Sequence, residues 1–305
     1  MKKYILKILL FFAIVAVIDL CAGSVGDYLQ THPQSGDTKK LNDLVMEDCH
    51  EVLILGSSRA HHHYDTPFLS DTLGLDVYNA GYDGNGCVFA YGVLDMIIER
   101  YRPKLVLFDV EPAFDVFVYD NDDSHKRYIS LLKPYYRNTV VGEIIKDVSC
   151  EEWYKVHSGL LRYNSKLISL LANQRQGRKE KLKGYEPLHG IYEDESDNAV
   201  THRNKIDTFK LKYIEKLLCL AKKNDIIFAV VASPKYGKTS SDDDLRLVKD
   251  ICKKYDVPFL DYYAAPEFMQ HREWFRESMH LNEEGARAYS EMIIDNIDKL
   301  LNNNK

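Results

Sequence analysis

Two short stretches near opposite ends of the 305-residue chain carry side chains that could share one reaction. Gly56-Ser57-Ser58-Arg59 follows directly on an apolar run at 51–55. A serine there sits on a tight turn at the end of a strand and can open the next helix. A helix N-terminus offers backbone N–H groups and the positive end of a dipole to developing negative charge. Towards the other end, Glu277-Ser278-Met279-His280 puts a carboxylate three residues before an imidazole, just ahead of a C-terminal helical pattern. A carboxylate so placed can hold one tautomer of the ring and stabilise its charged form, and the ring can then take the proton of a serine hydroxyl. The chemistry open to such a set is acyl transfer, with serine attack on a carbonyl followed by release to water or to another hydroxyl. A reading without chemistry stands beside it: His280 caps a helix and Glu277 is a solvated surface residue.

His61-His62-His63 invites a metal reading. Adjacent side chains of a helix or strand diverge, however, and the ligand spacings of zinc sites are wider. An ion site would need Asp65 or Glu111 to join one of the three. No metal and no cofactor is expected, and His62 is read as lining a pocket. Lys235, Tyr236 and Gly237 follow a later apolar run and are candidates for substrate contact, Tyr236 above all. A strand-to-helix turn would use the same residue types.

Alternation of strand and helix patterns must position these groups. Apolar runs at 51–55, 76–79, 104–109, 225–233 and 257–261 read as strands. Helical spacing occupies 87–101, 206–222, 242–255 and 282–301. Strands apolar on both faces imply a parallel sheet covered by helices on each side, with the chemistry at the carboxyl ends of the strands. Ser57, Ser58, Gly81 and Glu111 fall there. Residues 113–204 break the rhythm. They hold a helical pattern near 151–173 and a polar stretch at 174–204, and their length exceeds a usual connection. We read them as a cap inserted over the active face.

Three short motifs in this order resemble the SGNH (GDSL-like) hydrolase superfamily. Gly56-Ser57-Ser58 is similar to its first block, with Ser58 as nucleophile and Ser57 as a fallback. Asn79-Ala80-Gly81 is similar to the second, whose glycine offers its N–H to an oxyanion. Glu277-Ser278-Met279-His280 is similar to the last, Asp-x-x-His. The stretches around His62-His63-Tyr64, Asp83-Gly84-Asn85-Gly86 and residues 183–188 resemble a membrane-anchored subgroup from Bacteroides-type bacteria. The resemblance implies a flavodoxin-like three-layer α/β sandwich with a five-stranded parallel sheet and a large helical insertion. It also implies a serine esterase or acyl-group transferase with Ser58, His280 and Glu277 as its machinery. Glu111 stands where the family has an asparagine that donates to the oxyanion, and a carboxylate cannot donate. The hole would then rest on Ser58 and Gly81 N–H groups with Asn85, and Glu111 would pair with Arg59. That departure keeps a second reading open, a non-catalytic carbohydrate-binding or scaffold protein on the same fold.

The rest of the sequence bounds where this happens. The formal charge of -6 and the lack of a long Lys/Arg block beyond Arg178-Lys179-Glu180-Lys181 argue against nucleic acid. Met1-Lys2-Lys3 precedes an apolar stretch with no polar residue from Ile8 to Ile18. A membrane span needs roughly 20 apolar residues, reached here if 4–22 is counted with Asp19 inside it. Residues 1–24 are therefore a retained anchor or a cleaved signal, residues 25–49 a polar linker, and 50–302 the α/β domain. Lys2, Lys3 and Lys7 stay cytoplasmic, so the domain faces the periplasm from the inner membrane. The expected partners are that membrane and an acylated carbohydrate, O-acetyl groups of a surface or cell-wall sugar. The six cysteines form no CxxC pair and are read as no disulfide framework, with Cys219 and Cys252 as core thiols.

Overall fold

The computed structural model describes residues 1–118, 125–164, 166–175, 182–193, 205–238 and 241–302. Arg178-Lys179-Glu180-Lys181 and much of the polar stretch 174–204 lie outside the described residues. The chain forms two compact units, Met1–Asp43 with Ile129–Lys179, and Leu44–Tyr128 with Glu180–Lys305.

The larger unit contains β1 (Val52–Gly56), β2 (Val77–Gly81), β3 (Leu105–Asp109), β4 (Ile227–Ala232) and β5 (Phe259–Asp261). They make one parallel sheet in the order β2-β1-β3-β4-β5, which is the flavodoxin-like order. Its main helices are α1 (Ser58–His63), α2 (Thr66–Leu73), α3 (Cys87–Ile98), α4 (Thr208–Lys223), α5 (Asp242–Tyr255) and α6 (Glu283–Asn302). Every residue of β1, β2 and β3 is buried. Their Val, Leu, Ile and Phe side chains point to both faces, so both faces need a helical layer. On one face Val52, Ile54, Leu105, Leu107 and Val231 share a core with Tyr289, Ile293 and Ile297 of α6. Against the other, α3 meets β1, α4 meets β4, and the two helices pack together. The expected three-layer α/β sandwich is the observed one.

Register aligns the ends of the strands. β1 pairs with β2 from Val52–Val77 to Gly56–Gly81, and with β3 from Val52–Leu105 to Gly56–Asp109. The strand order reverses between β1 and β3, and parallel sheets of this kind bind ligands in the crevice beyond such a reversal. Ser57 and Ser58 leave β1 there, and Glu111 leaves β3. Gly56 has φ 145°, and a Cβ on it would lie 2.5 Å from the Asp109 carbonyl oxygen, so only glycine lets β1 close onto β3. A two-stranded antiparallel hairpin, β6 (Phe275–Glu277) and β7 (His280–Leu281), precedes α6. Its strands are too short for an alternation to announce them in the sequence.

The smaller unit is helical, and it corrects two readings. Residues 25–49 are largely helical: one helix runs from Lys2 to Thr31 and another spans Gly36–Asn42. The described residues of 129–179 cluster with this N-terminal part, while those of 113–128 and 180–204 belong with the sheet, so the segment 113–204 between β3 and β4 divides between the two units. The helix expected near 151–173 is three, Cys150–Lys155, Gly159–Tyr163 and Leu167–Ala172, and Thr139–Val148 precedes them. Ser149 and Ser158 each cap a new start by accepting an N–H three residues on. Asp19 joins the second cap, accepting the Ser158 hydroxyl at 2.5 Å and the Gly159 and Leu160 N–H groups at 3.1 and 3.0 Å. Asp27 accepts from Arg162 Nη2 at 3.0 Å and from the Tyr163 hydroxyl at 2.6 Å. By length and composition the N-terminal helix can cross a membrane. Of the two cysteines read as core thiols, Cys252 is buried and Cys219 exposed.

Candidate active site

Ser58 is the first residue of α1, with Ser57 at the N-cap. Its Oγ lies 2.7 Å from His280 Nε2. The opposite ring nitrogen, Nδ1, is hydrogen-bonded to Glu277 Oε1, and Glu277 Oε2 accepts the Met279 N–H at 2.7 Å. The hairpin supplies this alignment: Glu277 on β6 faces His280 on β7 in register, so a three-residue separation in sequence becomes a cross-strand pair. Burial raises the Glu277 carboxyl, but the bond to His280 and the Met279 N–H outweigh it and hold the group below the usual carboxylate range. A carboxylate so held fixes the proton on Nδ1 and leaves the Nε2 lone pair facing Ser58. Ser57, the fallback nucleophile, is fully buried and its hydroxyl has no hydrogen-bond partner among the described residues.

A buried polar chain holds the hairpin against α1. Arg59, fully buried, donates from Nη1 to Glu111 Oε2 at 2.9 Å and from Nη2 to Ser233 Oγ at 3.1 Å. His63 Nε2 accepts the Leu281 N–H at 3.1 Å, so the proton is on Nδ1, which donates to Ser233 Oγ at 2.9 Å. Burial, with the positive charge of Arg59 nearby, pushes His63 well below its ordinary value and keeps it neutral. The residue after His280 is thus pinned by a histidine of the helix that carries Ser58. The sequence reading missed His63 and Ser233 as supports. The usable signal was a polar residue, Ser233, closing an otherwise apolar strand at the active end of the sheet.

Other expected site residues sit differently. The Gly81 N–H, assigned to the oxyanion, donates to Asn79 Oδ1 at 3.0 Å. A Cβ on Gly81 would lie 2.5 Å from the His61 backbone nitrogen, so this glycine lets β2 approach α1. The Asn85 amide donates to the Asp83 carbonyl at 3.1 Å, and its own oxygen is buried without a partner among the described residues. Glu111 is the partner of Arg59, as anticipated, and also caps the turn at Pro112–Asp115. Tyr236 donates its N–H to the Ser278 carbonyl at 3.0 Å and packs its ring on Phe275, which makes it a prop for the hairpin. Asp65 caps α2 and pairs with Arg287, so neither it nor Glu111 joins the histidines. Asp83 does. Its Oδ1 lies 2.9 Å from His61 Nδ1 and 3.2 Å from His62 Nε2. Two neighbouring rings, 4.7 Å apart and tilted by 31°, converge after all, because an exposed acid from the β2–α3 loop reaches between them. The His62 ring stands edge-on to His280 at 5.7 Å.

The Arg59 pair lends itself to a stability test. Removing one partner of a buried ion pair strands the other and costs about 3–5 kcal/mol. Arg59→Met should lower the urea-unfolding free energy by about that amount, and Arg59→Met with Glu111→Leu should recover much of it. Equal stability of Arg59→Met and the parent would show that the pair does not hold the site.

No protein-family model and no curated protein matches the sequence. Among solved structures, the psychrotrophic esterase EstA from Pseudoalteromonas sp., inhibited by monoethylphosphonate, is similar over 82% of this chain and 98% of its own, at 13% identity and a TM-score of 0.44. An acetyl xylan esterase, AlAXEase, is similar over 81% of this chain and 99% of its own, at 10% identity and a TM-score of 0.41. Likeness at this level carries no argument about activity, and the fold stands on the sheet order itself.

Proposed function

We propose that the protein is a serine esterase or O-acyl transferase tethered to a membrane by its N-terminal helix. The alignment of Glu277, His280 and Ser58 carries the reading. His280 Nε2 takes the Ser58 proton as Oγ attacks an acyl carbonyl, and returns it to the departing alkoxide. Water or a sugar hydroxyl then accepts the acyl group. The start of α1 meets the developing oxyanion with the Ser58 N–H. The substrate class, an O-acetyl group on a surface or cell-wall carbohydrate, follows from the SGNH-like motifs and an extracytoplasmic location, with the inner membrane as anchor and the domain on the periplasmic side. A retained anchor is supported by Asp19, which caps the Gly159–Tyr163 helix and would be lost with a cleaved leader.

A second reading, a carbohydrate-binding or scaffold protein without catalysis, is favoured by two observations. The Gly81 N–H is engaged with Asn79, and Glu111 is locked to Arg59, so the oxyanion lacks the donors that the family motif would supply. One lost donor costs about 10²–10³ in rate. The two readings separate with a fluorophosphonate probe and p-nitrophenyl acetate. An adduct on the peptide containing Ser58, with ester turnover, supports the enzyme; silence of both reactions supports the scaffold.

A further inference from the structure

We infer that His61, His62 and Asp83 form a binding site for a borderline divalent cation of the zinc class. The argument is one of protons and lone pairs. His62 Nδ1 lies 2.7 Å from the Glu186 carbonyl oxygen, which can only accept, so the proton of a neutral His62 is on Nδ1 and the Nε2 lone pair faces Asp83 Oδ1. His61 Nε2 faces the Glu186 carboxylate at 3.6 Å. The His61 Nδ1–Asp83 contact of 2.9 Å is a hydrogen bond when the proton is on Nδ1; moving that proton to Nε2 turns the Nδ1 lone pair on the same Asp83 oxygen. In that tautomer two imidazole lone pairs and a carboxylate oxygen face one another, an arrangement that a cation completes. Protons alone close the gap with an imidazolium at His62, donating to the Glu186 carbonyl and to Asp83, beside a His61 that donates from Nδ1. One dication satisfies all three donors at once.

The geometry fits such an ion. The three donor atoms lie within 4.8 Å of one another. Nitrogen and oxygen ligands of zinc stand about 2.0–2.2 Å from the metal, so neighbouring ligands in a tetrahedron are roughly 3.3 Å apart. The 2.9 and 3.2 Å separations from Asp83 reach that with shifts of a few tenths of an ångström, and the remaining pair, the two ring nitrogens, lies within 4.8 Å. The His62 Nδ1–H bond to a backbone carbonyl is the outer-shell contact that fixes the tautomer of a metal-bound histidine. Imidazole with carboxylate suits zinc, and three protein ligands leave a position open to water or a substrate oxygen. Asp83, 61% exposed at its side chain, gives the ion a path from solvent. Nothing in this site depends on the esterase reading.

The test uses the full-length chain in detergent, stripped with a chelator, then titrated with Zn²⁺ by calorimetry and with Co²⁺ by visible absorption. One equivalent should bind, with a Co²⁺ spectrum of low coordination number. Asp83→Asn and His62→Gln should each weaken Zn²⁺ binding by about 10–100-fold, while His189→Gln, an exposed histidine paired with Glu283, should leave it unchanged. Equal melting temperatures of the stripped parent and Asp83→Asn establish that the loss is not unfolding. No stoichiometric binding, or binding that survives both substitutions, overturns the inference.

Discussion

Ser58→Ala is expected to lower kcat for p-nitrophenyl acetate by about 10⁵–10⁶, to the background rate, and to leave the fold intact. The hydroxyl is the atom that His280 Nε2 faces at 2.7 Å. Ser57 is buried and makes no bond to the ring. Structurally the change is mild. Ser57, not Ser58, holds the cap position, and alanine suits the first turn of a helix. Initial rates beside a thermal melt decide the matter. If Ser58→Ala keeps its rate within about tenfold, a difference of only about 1.4 kcal/mol in barrier, Ser58 is not the nucleophile. The effect also bears on the weakness of the oxyanion site. A serine that reacts with the probe once but turns over slowly would point to missing donors, since Gly81 and Glu111 are occupied elsewhere.

The sheet was legible because its signal is local. Runs such as 52–56 and 227–232 are apolar on both faces, and burial on both faces dictates a covered parallel sheet. The serine and histidine were legible because they lie at ends of elements, Ser58 after β1 and His280 before α6. What escaped depends on contacts distant in sequence. The hairpin that turns Glu277 towards His280 pairs only Phe275 with Leu281 and Glu277 with His280, too few residues for an alternation to be read. Gly81 carries the motif of an oxyanion donor, yet the Asn79 amide two residues away claims its N–H. The rule that adjacent histidines diverge is sound for an isolated helix. It failed at His61 and His62 because Asp83 arrives from the β2–α3 loop and brings one oxygen within reach of both rings. The polar stretch 25–49 reads as a linker because its polar side chains bond within the chain, as where Asn42 donates to the Gln30 carbonyl at 2.6 Å. Polarity there meant mutual hydrogen bonding rather than solvent.

Glu277→Gln should cost about 10⁴ in kcat with KM little changed. Glutamine keeps the length and most of the volume of glutamate but reverses one bond. Its amide nitrogen can donate to His280 Nδ1, and a ring that accepts there must carry its proton on Nε2. Nε2 would then donate to Ser58 Oγ instead of receiving its proton, and the base would be lost while every atom stayed near its place. The carboxylate would also be missing when the ring becomes cationic during attack. KM is expected to hold because Glu277 meets His280 and the Met279 N–H, groups on the far side of the ring from Ser58. The rate of fluorophosphonate labelling should fall in parallel with kcat, since both need the same activated hydroxyl. Glu277→Asp separates tautomer from charge. It restores the carboxylate with one methylene less, so an activity between the parent and Glu277→Gln is expected. A Glu277→Gln protein that labels and turns over like the parent would remove the carboxylate from the mechanism and leave the Met279 N–H as its sole partner of consequence, a turn-stabilising residue in the hairpin.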